Sequence, residues 1–345
     1  MAFPLVIPVF IPHSGCPHQC AFCNQAIITS QKKKLPDPKE MDATIGQYLA
    51  YKGNRSRVEL AFFGGNFLGL PDPDIIRLLE RVRPYIEKGT IHGIRCSTRP
   101  DTITEHILDL IAPYGVSLVE LGVQSMTDSV LSEAHRGHTR FHTRQAITLL
   151  KARKLQVGVQ VMAGLPGDTE SQLLDSTRQI AALGPDVARI YPLMVLEGSL
   201  LSQWYRQGSY IPLTLDQAVL LVKKMYKIFD RARVRVIRMG LQASEMMEDR
   251  DQVLAGPWHP AFGHLVLSEL VYDQVCEKLC AFQATSGASK ILIRVHPRFE
   301  SRLRGDKNHT LARLEKDHPG ICFTIKRDDT LLPAEVSISQ GPAGG

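Results

Sequence analysis

The sequence predicts an α/β fold built on a parallel sheet, and three observations lead to that prediction. Short runs rich in β-branched and aromatic residues alternate with segments of helical periodicity over roughly residues 1–200. Glycines follow the ends of these strands, where an α/β barrel places its binding loops. A chain of 345 residues with 44% hydrophobic content can form one large domain and a smaller one. The alternation alone is compatible with a closed barrel, an open sheet or a doubly wound sheet.

The predicted strands of the first domain are separated by helices, so neighbouring strands should be parallel. The strands are expected at residues 1–12, 58–63, 91–96, 118–122, 156–162 and 187–193. The helices are expected at residues 39–52, 72–88, 101–112, 127–135, 142–152 and 169–183. Thr169 and Gln172 have the spacing of a capping box, which supports the start of the last of these helices.

The rest of the chain predicts a smaller α/β unit. Its elements are expected as a helix at residues 214–233, a strand at 234–238, a helix at 261–283, a strand at 291–296, a helix at 310–317 and a strand at 321–327. We therefore divide the chain into a core domain of residues 1–212, a C-terminal domain of residues 213–333, and a Gly- and Pro-rich flexible tail of residues 334–345.

A cysteine stretch between the first strand and the first helix is the strongest functional signal. Three of the seven cysteines stand there in a C-x3-C-x2-C spacing, namely Cys16, Cys20 and Cys23. An odd number of thiols cannot pair internally, and an iron–sulfur cluster can accept three cysteines and leave one iron open. Two alternatives remain: three buried thiols on one helical face, or a zinc site with His18 as the fourth ligand. Pro17 disfavours the helix, because a residue before proline avoids helical backbone angles.

This stretch, with the aromatic Phe22 before the third cysteine, resembles the signature of the radical S-adenosylmethionine (SAM) enzymes. The resemblance implies that Cys16, Cys20 and Cys23 hold a 4Fe–4S cluster whose open iron chelates the amino and carboxylate groups of SAM. It implies that a reductant such as ferredoxin or flavodoxin supplies the electron that cleaves SAM, giving a 5′-deoxyadenosyl radical that removes hydrogen from a substrate. It also implies a partial, TIM-like (βα)6 barrel for the core domain, with the small α/β unit as a C-terminal cap.

Two motifs resemble SAM-contacting segments of this superfamily. Gly64 and Gly65 follow the second strand and match a glycine-glycine motif that binds the methionyl amino group. Gln124 and Arg136, twelve residues apart, are similar to a pair that contacts SAM in the oxygen-independent coproporphyrinogen oxidase and elongator branch. An arginine suits a carboxylate because its planar fork can donate two hydrogen bonds.

Four further residues lie in segments that are similar to other SAM contacts. Asn66 and Ser97 stand where many related enzymes have an acidic or other polar ligand, and Ser97 belongs to a run similar to the T-R-P-D run of the elongator catalytic subunit. Gln160 and Gly164 lie on and after the fifth strand, near a G-L-P-G turn that borders the adenosine pocket. The expected SAM contacts are therefore Phe22, Gly64, Gly65, Asn66, Ser97, Gln124, Arg136, Gln160 and Gly164.

Composition limits where the protein works. No run of about 18 apolar residues is present, so no membrane span is expected. The apolar N-terminus lacks the basic segment of a signal peptide, and unpaired thiols with an oxygen-sensitive cluster indicate a reducing cytoplasm. Cys276 and Cys280, four apart on a predicted helix, are either packed thiols or ligands of a second cluster.

The leading hypothesis is a radical SAM enzyme of the elongator-like branch, without an acetyltransferase domain, that removes hydrogen from an unidentified substrate. RNA is a candidate substrate, because residues 290–327 contain ten Lys or Arg and four Asp or Glu, although an ordinary solvated surface has the same composition. The alternatives are a coproporphyrinogen-type oxidative decarboxylase and an RNA-binding module with a structural Fe–S cluster.

Overall fold

The computed structural model describes residues 4–11, 15–24, 35–241 and 252–341. The strands are β1 (Leu5–Phe10), β2 (Val58–Phe63), β3 (Ile94–Thr98), β4 (Val116–Gln124), β5 (Gln156–Ala163), β6 (Val187–Pro192), β7 (Val195–Leu196), β8 (Arg235–Met239), β9 (Val253–Ala255), β10 (Lys290–Val295), β11 (Cys322–Arg327) and β12 (Val336–Gln340). The helices are α1 (Pro38–Ala50), α2 (Asp72–Glu87), α3 (Glu105–Ile111), α4 (Asp128–Glu133), α5 (Arg140–Ala152), α6 (Glu170–Ala182), α7 (Leu200–Arg206), α8 (Leu215–Arg231), α9 (Phe262–Ser286), α10 (Glu300–Arg304) and α11 (His309–Asp317). Residues 1–3 and 12 of the predicted first strand, and residues 342–345 of the predicted tail, lie outside the described residues.

The main sheet is parallel throughout, in the order β1-β2-β3-β4-β5-β6-β8. The guanidinium of Arg189 on β6 lies 5.1 Å from the ring centroid of Phe63 on β2. In a flat sheet these strands would be about 19 Å apart, because neighbouring strands are spaced by about 4.8 Å. The sheet is therefore strongly curved, and the predicted partial barrel is confirmed.

The sheet has one strand more than the sequence predicted. We assigned residues 234–238 to the C-terminal domain, but β8 pairs with β6 and extends the barrel sheet. Helix α8 precedes β8 and provides the crossover that a parallel partner strand requires. The sequence pattern predicted the strand but could not identify its neighbour.

The two faces of the sheet differ in polarity, because successive side chains of a strand point to opposite faces. The face that packs against the helices is apolar, and Ile7, Leu60, Phe62, Ile94 and Val119 on it are fully buried. The concave face has polar side chains on five neighbouring strands, among them Glu59, Arg95, Glu120, Gln160 and Arg189. A ligand that enters the barrel would therefore meet polar groups.

Helix starts follow the local sequence. The predicted capping box at α6 is confirmed: the Thr169 side chain accepts a hydrogen bond from the backbone of Gln172, whose side chain accepts one from Thr169. A second capping box joins Asp37 and Glu40 at the start of α1. These caps end the loops and fix where the barrel helices begin.

Residue contacts divide the chain into two compact units, Met1–Thr214 with Met225–Trp258, and Leu215–Lys224 with His259–Gly345. The second unit has a three-stranded sheet in the order β11-β10-β12, with β11 parallel and β12 antiparallel to β10. Its core contains residues of α9, β10 and α11, including Val275, Leu279, Ile293 and Leu314.

The predicted flexible tail is wrong for its central part. Residues Val336–Gln340 form β12, and Val336 is buried in the core of the second unit. Val336 and Ile338 are two residues apart, so both side chains reach the same apolar face when the segment pairs with β10. Among the described helices, none is long and apolar enough to cross a membrane.

Candidate functional site

The cysteine loop follows β1 and is fixed by backbone hydrogen bonds on both sides. The N–H of Ala21 donates to the carbonyl of Ala134 (3.0 Å), and the carbonyl of Ala21 accepts from the N–H of Leu201 (2.8 Å). Ala21 is fully buried and Cys20 is 7% exposed. Phe22 packs against the apolar cluster that contains Val130, Leu165 and Leu201. The loop is thus seated on the barrel through residues next to its cysteines.

Asn66 joins the start of this loop to the ends of β2 and β3. Its Nδ2 donates to the carbonyl of Gly15 (2.6 Å), and its Oδ1 accepts from Thr98 Oγ1 (2.6 Å) and from the backbone N–H of Arg99 (2.9 Å). Gly15 has a φ of +80°, and a Cβ at Gly15 or at Gly69 would overlap the other segments of this junction. The oxygen of Asn66 is therefore already used within the protein.

Gln124 and Arg136 come together over Gly122, at the end of β4. A Cβ at Gly122 would lie 3.1 Å from Gln124 Nε2 and 3.3 Å from Arg136 Nη2, so the glycine leaves the space that both side chains occupy. Arg136 Nη2 donates to the carbonyl of Gly122 (2.6 Å), and Arg136 Nη1 donates to Cys20 Sγ (3.1 Å). Arg136 is thus in direct contact with a predicted cluster ligand, and Gln124 lies beside the same glycine.

Arg99 is a functional-site residue that the sequence analysis did not identify. It follows β3, is 3% exposed, and forms two hydrogen bonds with the Asp101 carboxylate at 2.9 Å. Its Nη2 also donates to the backbone carbonyl of Arg136 at 2.5 Å. Its position just before Pro100 gave no sign of this role, which depends on the contact between the segments after β3 and β4.

Several buried polar atoms around Arg136 have no hydrogen-bond partner among the residues that the structure describes. They are Gln124 Oε1, Arg136 Nε, Arg99 Nη1 and His138 Nδ1. Buried polar side-chain atoms in proteins are usually hydrogen-bonded, and exceptions cluster where a ligand binds. One acceptor and several cationic donors suit a ligand that has both an amino group and a carboxylate.

Two pKa values at the site are shifted. Partial desolvation raises the pKa of the Cys16 thiol, although the residue as a whole is exposed, while the Arg99 and Arg136 guanidinium groups act in the opposite direction. Burial, with Arg136 and Arg99 nearby, lowers the pKa of His138 to about 3, so its imidazole is neutral at physiological pH. The site is therefore already cationic without a charged histidine.

The three cysteine side chains do not form a preassembled set of metal ligands. Cys16 is exposed, Cys20 is buried and Cys23 is half-buried, and all three are free thiols. Within the described residues, no group of three or more His, Cys, Asp or Glu side chains is arranged to hold a metal ion. Three thiols on one anchored loop, one of them accepting from a guanidinium, nevertheless fit a thiolate-bound cluster, because a cation favours the thiolate.

The other predicted SAM contacts lie along the strand ends that border this site. Gly64 has a φ of +93°, and Gly64 and Gly65 are half-buried after β2. Ser97 is beside Glu120 in the sheet, and Gln160 is beside Gly122 and Arg189. The carbonyl of Gly164 accepts from the Tyr210 hydroxyl at 2.7 Å. Their contact with SAM stays a prediction.

A possible second cluster site is not assembled in the C-terminal unit. Cys276 Sγ lies 3.8 Å from His318 Nε2, and Cys280 is exposed. Cys276 also packs against the apolar core of that unit. Within the described residues, the position of Cys276 is therefore that of a thiol packed against the core.

Comparison with known families identifies both halves of the chain. A family model described as the radical SAM superfamily matches residues 10–180, and a model described as the radical SAM C-terminal domain matches residues 185–272. Together these models cover the cysteine loop, the barrel strands from β2 to β8 and the first part of the C-terminal unit.

The chain is similar to curated proteins and to a solved structure. It is 28% identical over 230 residues to a tRNA uridine(34) acetyltransferase of Dehalococcoides mccartyi (57% of this chain, 50% of the relative). It is 32% identical over 285 residues to one of Methanocaldococcus jannaschii (70% of this chain, 52% of the relative). The chain therefore spans about half the length of these relatives. The structure of Methanocaldococcus infernus Elp3 has the same fold, with a TM-score of 0.61 at 24% identity, over 80% of this chain and 64% of that one.

Proposed function

Because the chain belongs to the radical SAM superfamily, whose enzymes use a 4Fe–4S cluster and SAM, we propose that Cys16, Cys20 and Cys23 hold that cluster. We propose further that Gln124 and Arg136 bind the methionine end of SAM beside it. The observation that supports this most strongly is the position of Arg136, which donates to Cys20 Sγ and lies over Gly122 with Gln124.

The unpaired atoms of the site suggest how SAM would be oriented. Gln124 Oε1 is free to accept a hydrogen bond from the amino group, and Arg136 Nε or Arg99 Nη1 can donate to the carboxylate. Asp101 and the carbonyl of Arg136 hold the Arg99 guanidinium in place. When bound, the cluster and SAM supply an electron and a 5′-deoxyadenosyl radical for hydrogen abstraction.

Anaerobic reconstitution tests the cluster and the reaction together. We expect about four irons per chain, and 5′-deoxyadenosine after reduction with dithionite or flavodoxin in the presence of SAM. The double variant Cys20→Ala, Cys23→Ala should lose both. The matched control Cys280→Ala removes an exposed thiol of the C-terminal unit and should keep both.

Iron loading of the double variant that equals wild type would overturn the cluster assignment. Iron without any 5′-deoxyadenosine would favour the alternative in which the cluster is structural and the protein is an RNA-binding module.

We propose an RNA nucleoside as the substrate of hydrogen abstraction. Two relatives named tRNA uridine(34) acetyltransferase, one of them 32% identical, support this assignment, as does the excess of basic residues between 290 and 327. The test is anaerobic turnover with bulk tRNA, followed by nucleoside mass spectrometry. A modified nucleoside, with 5′-deoxyadenosine released in proportion to added tRNA, is expected. Release that is indifferent to tRNA would contradict it.

A further inference from the structure

One face of the three-stranded sheet in the C-terminal unit is basic, and its residues are exposed or half-buried. Ile291, Ile293 and Val295 of β10 point into the core, so the alternate residues point away from it. The outward residues of β11 and β12 follow from the register with β10. We call this surface the basic face; it consists of Lys290, Leu292, Arg294, Cys322, Thr324, Lys326, Ser337 and Ser339.

The side chains of the basic face are ordered in rows across the strands. Arg294 is the register partner of Lys326 on one side and of Ser337 on the other. Leu292 lies between Thr324 and Ser339 in the next row, and Lys290 lies beside Cys322 in the row after that. Lys290 and Arg294 are four positions apart on β10, a distance of about 13 Å at the usual rise of a strand. Cations thus stand at both ends of the face, with the Thr324 and Ser339 hydroxyls in the row between them and Ser337 beside Arg294.

The cations of this face have no ion-pair partner among the described residues. Elsewhere in the same unit basic groups are paired: Lys223 with Glu269 and Asp273, Arg313 with Glu269, and Arg327 with Glu300. Arg294 and Lys326 are instead direct cross-strand neighbours, an arrangement of like charges that destabilises a sheet.

One carboxylate, that of Asp328, follows β11 at the end of the face and is influenced by two of its cations. The Asp328 carboxylate accepts hydrogen bonds from the Thr330 N–H and hydroxyl, and Arg294 and Lys326 help to lower its pKa. One carboxylate cannot neutralise three cations, so the face keeps a positive charge.

From this charge and this pattern of hydroxyl groups we propose that the basic face binds the phosphodiester backbone of RNA. The inference rests on the proposed function, because only an RNA substrate gives the enzyme a reason to hold a phosphate backbone. Sheets that read RNA bases do so with outward aromatic side chains that stack on them. The outward positions here contain Leu292 and Thr324 between the cations, and Phe323 faces the core. The face therefore binds phosphates without selecting a base sequence.

The experiment compares charge reversal on the two sides of this sheet. The double variant Arg294→Glu, Lys326→Glu reverses two cations of the basic face. Lys316→Glu is the matched control: Lys316 is exposed on α11, whose Leu314 packs on the core side of the sheet. Binding of fluorescein-labelled bulk tRNA to the reconstituted full chain is measured by anisotropy between 50 and 300 mM NaCl.

The double variant should bind tRNA at least about 10-fold more weakly at the lowest salt, and its plot of log K against log salt should be shallower by about two. Lys316→Glu should bind within about twofold of wild type, because it changes charge outside the face. Iron content and tRNA-independent cleavage of SAM should not change in either variant, since neither touches the cysteine loop. This second readout also shows that the double variant is folded.

The two proposals fail in different ways. Wild-type affinity and salt slope in a folded double variant would overturn the basic face and leave the RNA substrate untouched. Equal weakening by Lys316→Glu would also overturn it, because net charge and not the face would then govern binding. If wild type modifies no nucleoside in bulk tRNA, the substrate proposal fails whatever the binding curves show.

Discussion

The barrel interior has two polar regions that differ in how completely their side chains are partnered. In the first, Glu120 binds both Arg95 (2.9 Å) and Arg189 (3.0 Å), and Arg95 also reaches Glu59 (3.3 Å). In the second, around Arg136, no described residue is a hydrogen-bond partner of Gln124 Oε1 or of the Nε of Arg136. We call the first region the ion network and the second the unpaired site.

Both regions depend on a glycine in the neighbouring part of the sheet. A Cβ at Gly158 of β5 would lie 2.8 Å from Glu120 Cγ, so this glycine leaves space for the carboxylate that links β3, β4 and β6. Gly122 leaves space in the same way for Gln124 and Arg136. A glycine thus leaves space for side chains of the ion network in one region and for side chains of the unpaired site in the other.

Buried polar groups with partners in the protein have a structural role, and buried polar groups without partners are available to a ligand. Breaking a partnered group leaves another buried charge without compensation, which costs stability. Removing an unpartnered group breaks no hydrogen bond within the protein, so the free energy of unfolding should not fall. Its removal should instead weaken ligand binding. Substitutions in the two regions should therefore give opposite results.

The largest effect is expected for Glu120→Gln in the ion network. The change leaves Arg95 and Arg189 sharing a neutral amide, and we expect the free energy of unfolding to fall by about 4 kcal/mol. Urea denaturation of the apo chain measures it. Glu80→Gln is the control, because Glu80 forms an exposed pair with Arg83 and should cost less than about 1 kcal/mol. SAM affinity should not change, and equal stability of the two variants would show that the network is not structural.

Arg136→Met should have the next largest effect, on SAM binding. The substitution removes a cationic donor from the site and the hydrogen bond to Cys20 Sγ. Charge-assisted hydrogen bonds contribute about 1.5–3 kcal/mol each, so the Kd for SAM should rise about 100-fold. Equilibrium dialysis against the reconstituted protein measures it. Arg136→Lys should recover part of the loss, because it keeps the charge but not the fork, and unchanged affinity in both variants would exclude Arg136 as a SAM ligand.

Gln124→Met separates binding from stability most directly. Gln124 Oε1 has no partner within the described part of the chain, so the free energy of unfolding of the apo chain should not fall. The Kd for SAM should rise about tenfold, the effect of one hydrogen bond. Gln156→Met, at the exposed start of β5, is the control and should change neither quantity. A fall in the free energy of unfolding without a change in Kd would show that Gln124 stabilises the fold and does not bind SAM.

The sequence predicted the alternating strands and helices because hydrophobic periodicity and strand-end glycines are local signals, and the resemblance to the radical SAM enzymes supplied the partial barrel. The resemblance of their spacing to a known pair also assigned Gln124 and Arg136 to one site, and both side chains lie next to Gly122. The sequence could not predict the ion network. Charged residues such as Glu120 within apolar strands did indicate buried ion pairs, because a buried charge needs a partner. The identity of the partner depends on register and curvature, because Arg189 lies 69 residues further along the chain.

The hydrogen bonds of Asn66 and Arg99 also could not be predicted, because they join residues that are far apart in the sequence. Asn66 was expected to contact SAM, and its described hydrogen bonds go to Gly15, Thr98 and Arg99, which are 51, 32 and 33 residues away. Arg99 belonged to a quoted run, but its bond to the carbonyl of Arg136 joins two strand ends that no local pattern connects. Helix α7 and the β7–β9 pair were missed because each is short.

Asp168 has no cationic partner among the described residues, and Asp168→Asn should have the smallest effect. Burial raises the pKa of its carboxyl from 3.8 to about 6, although the Thr169 N–H acts in the opposite direction. The folded chain therefore binds more protons than the unfolded chain between these pH values, and stability falls as pH rises through that window. Asparagine cannot ionise, so the variant should be more stable than wild type by about 1 kcal/mol at pH 7.5, allowing for partial exposure, and by less at pH 4.5. Urea titrations at both pH values measure this, with Asp329→Asn, exposed in the C-terminal unit, as the control. A gain that is the same at both pH values would mean that packing and not ionisation is responsible.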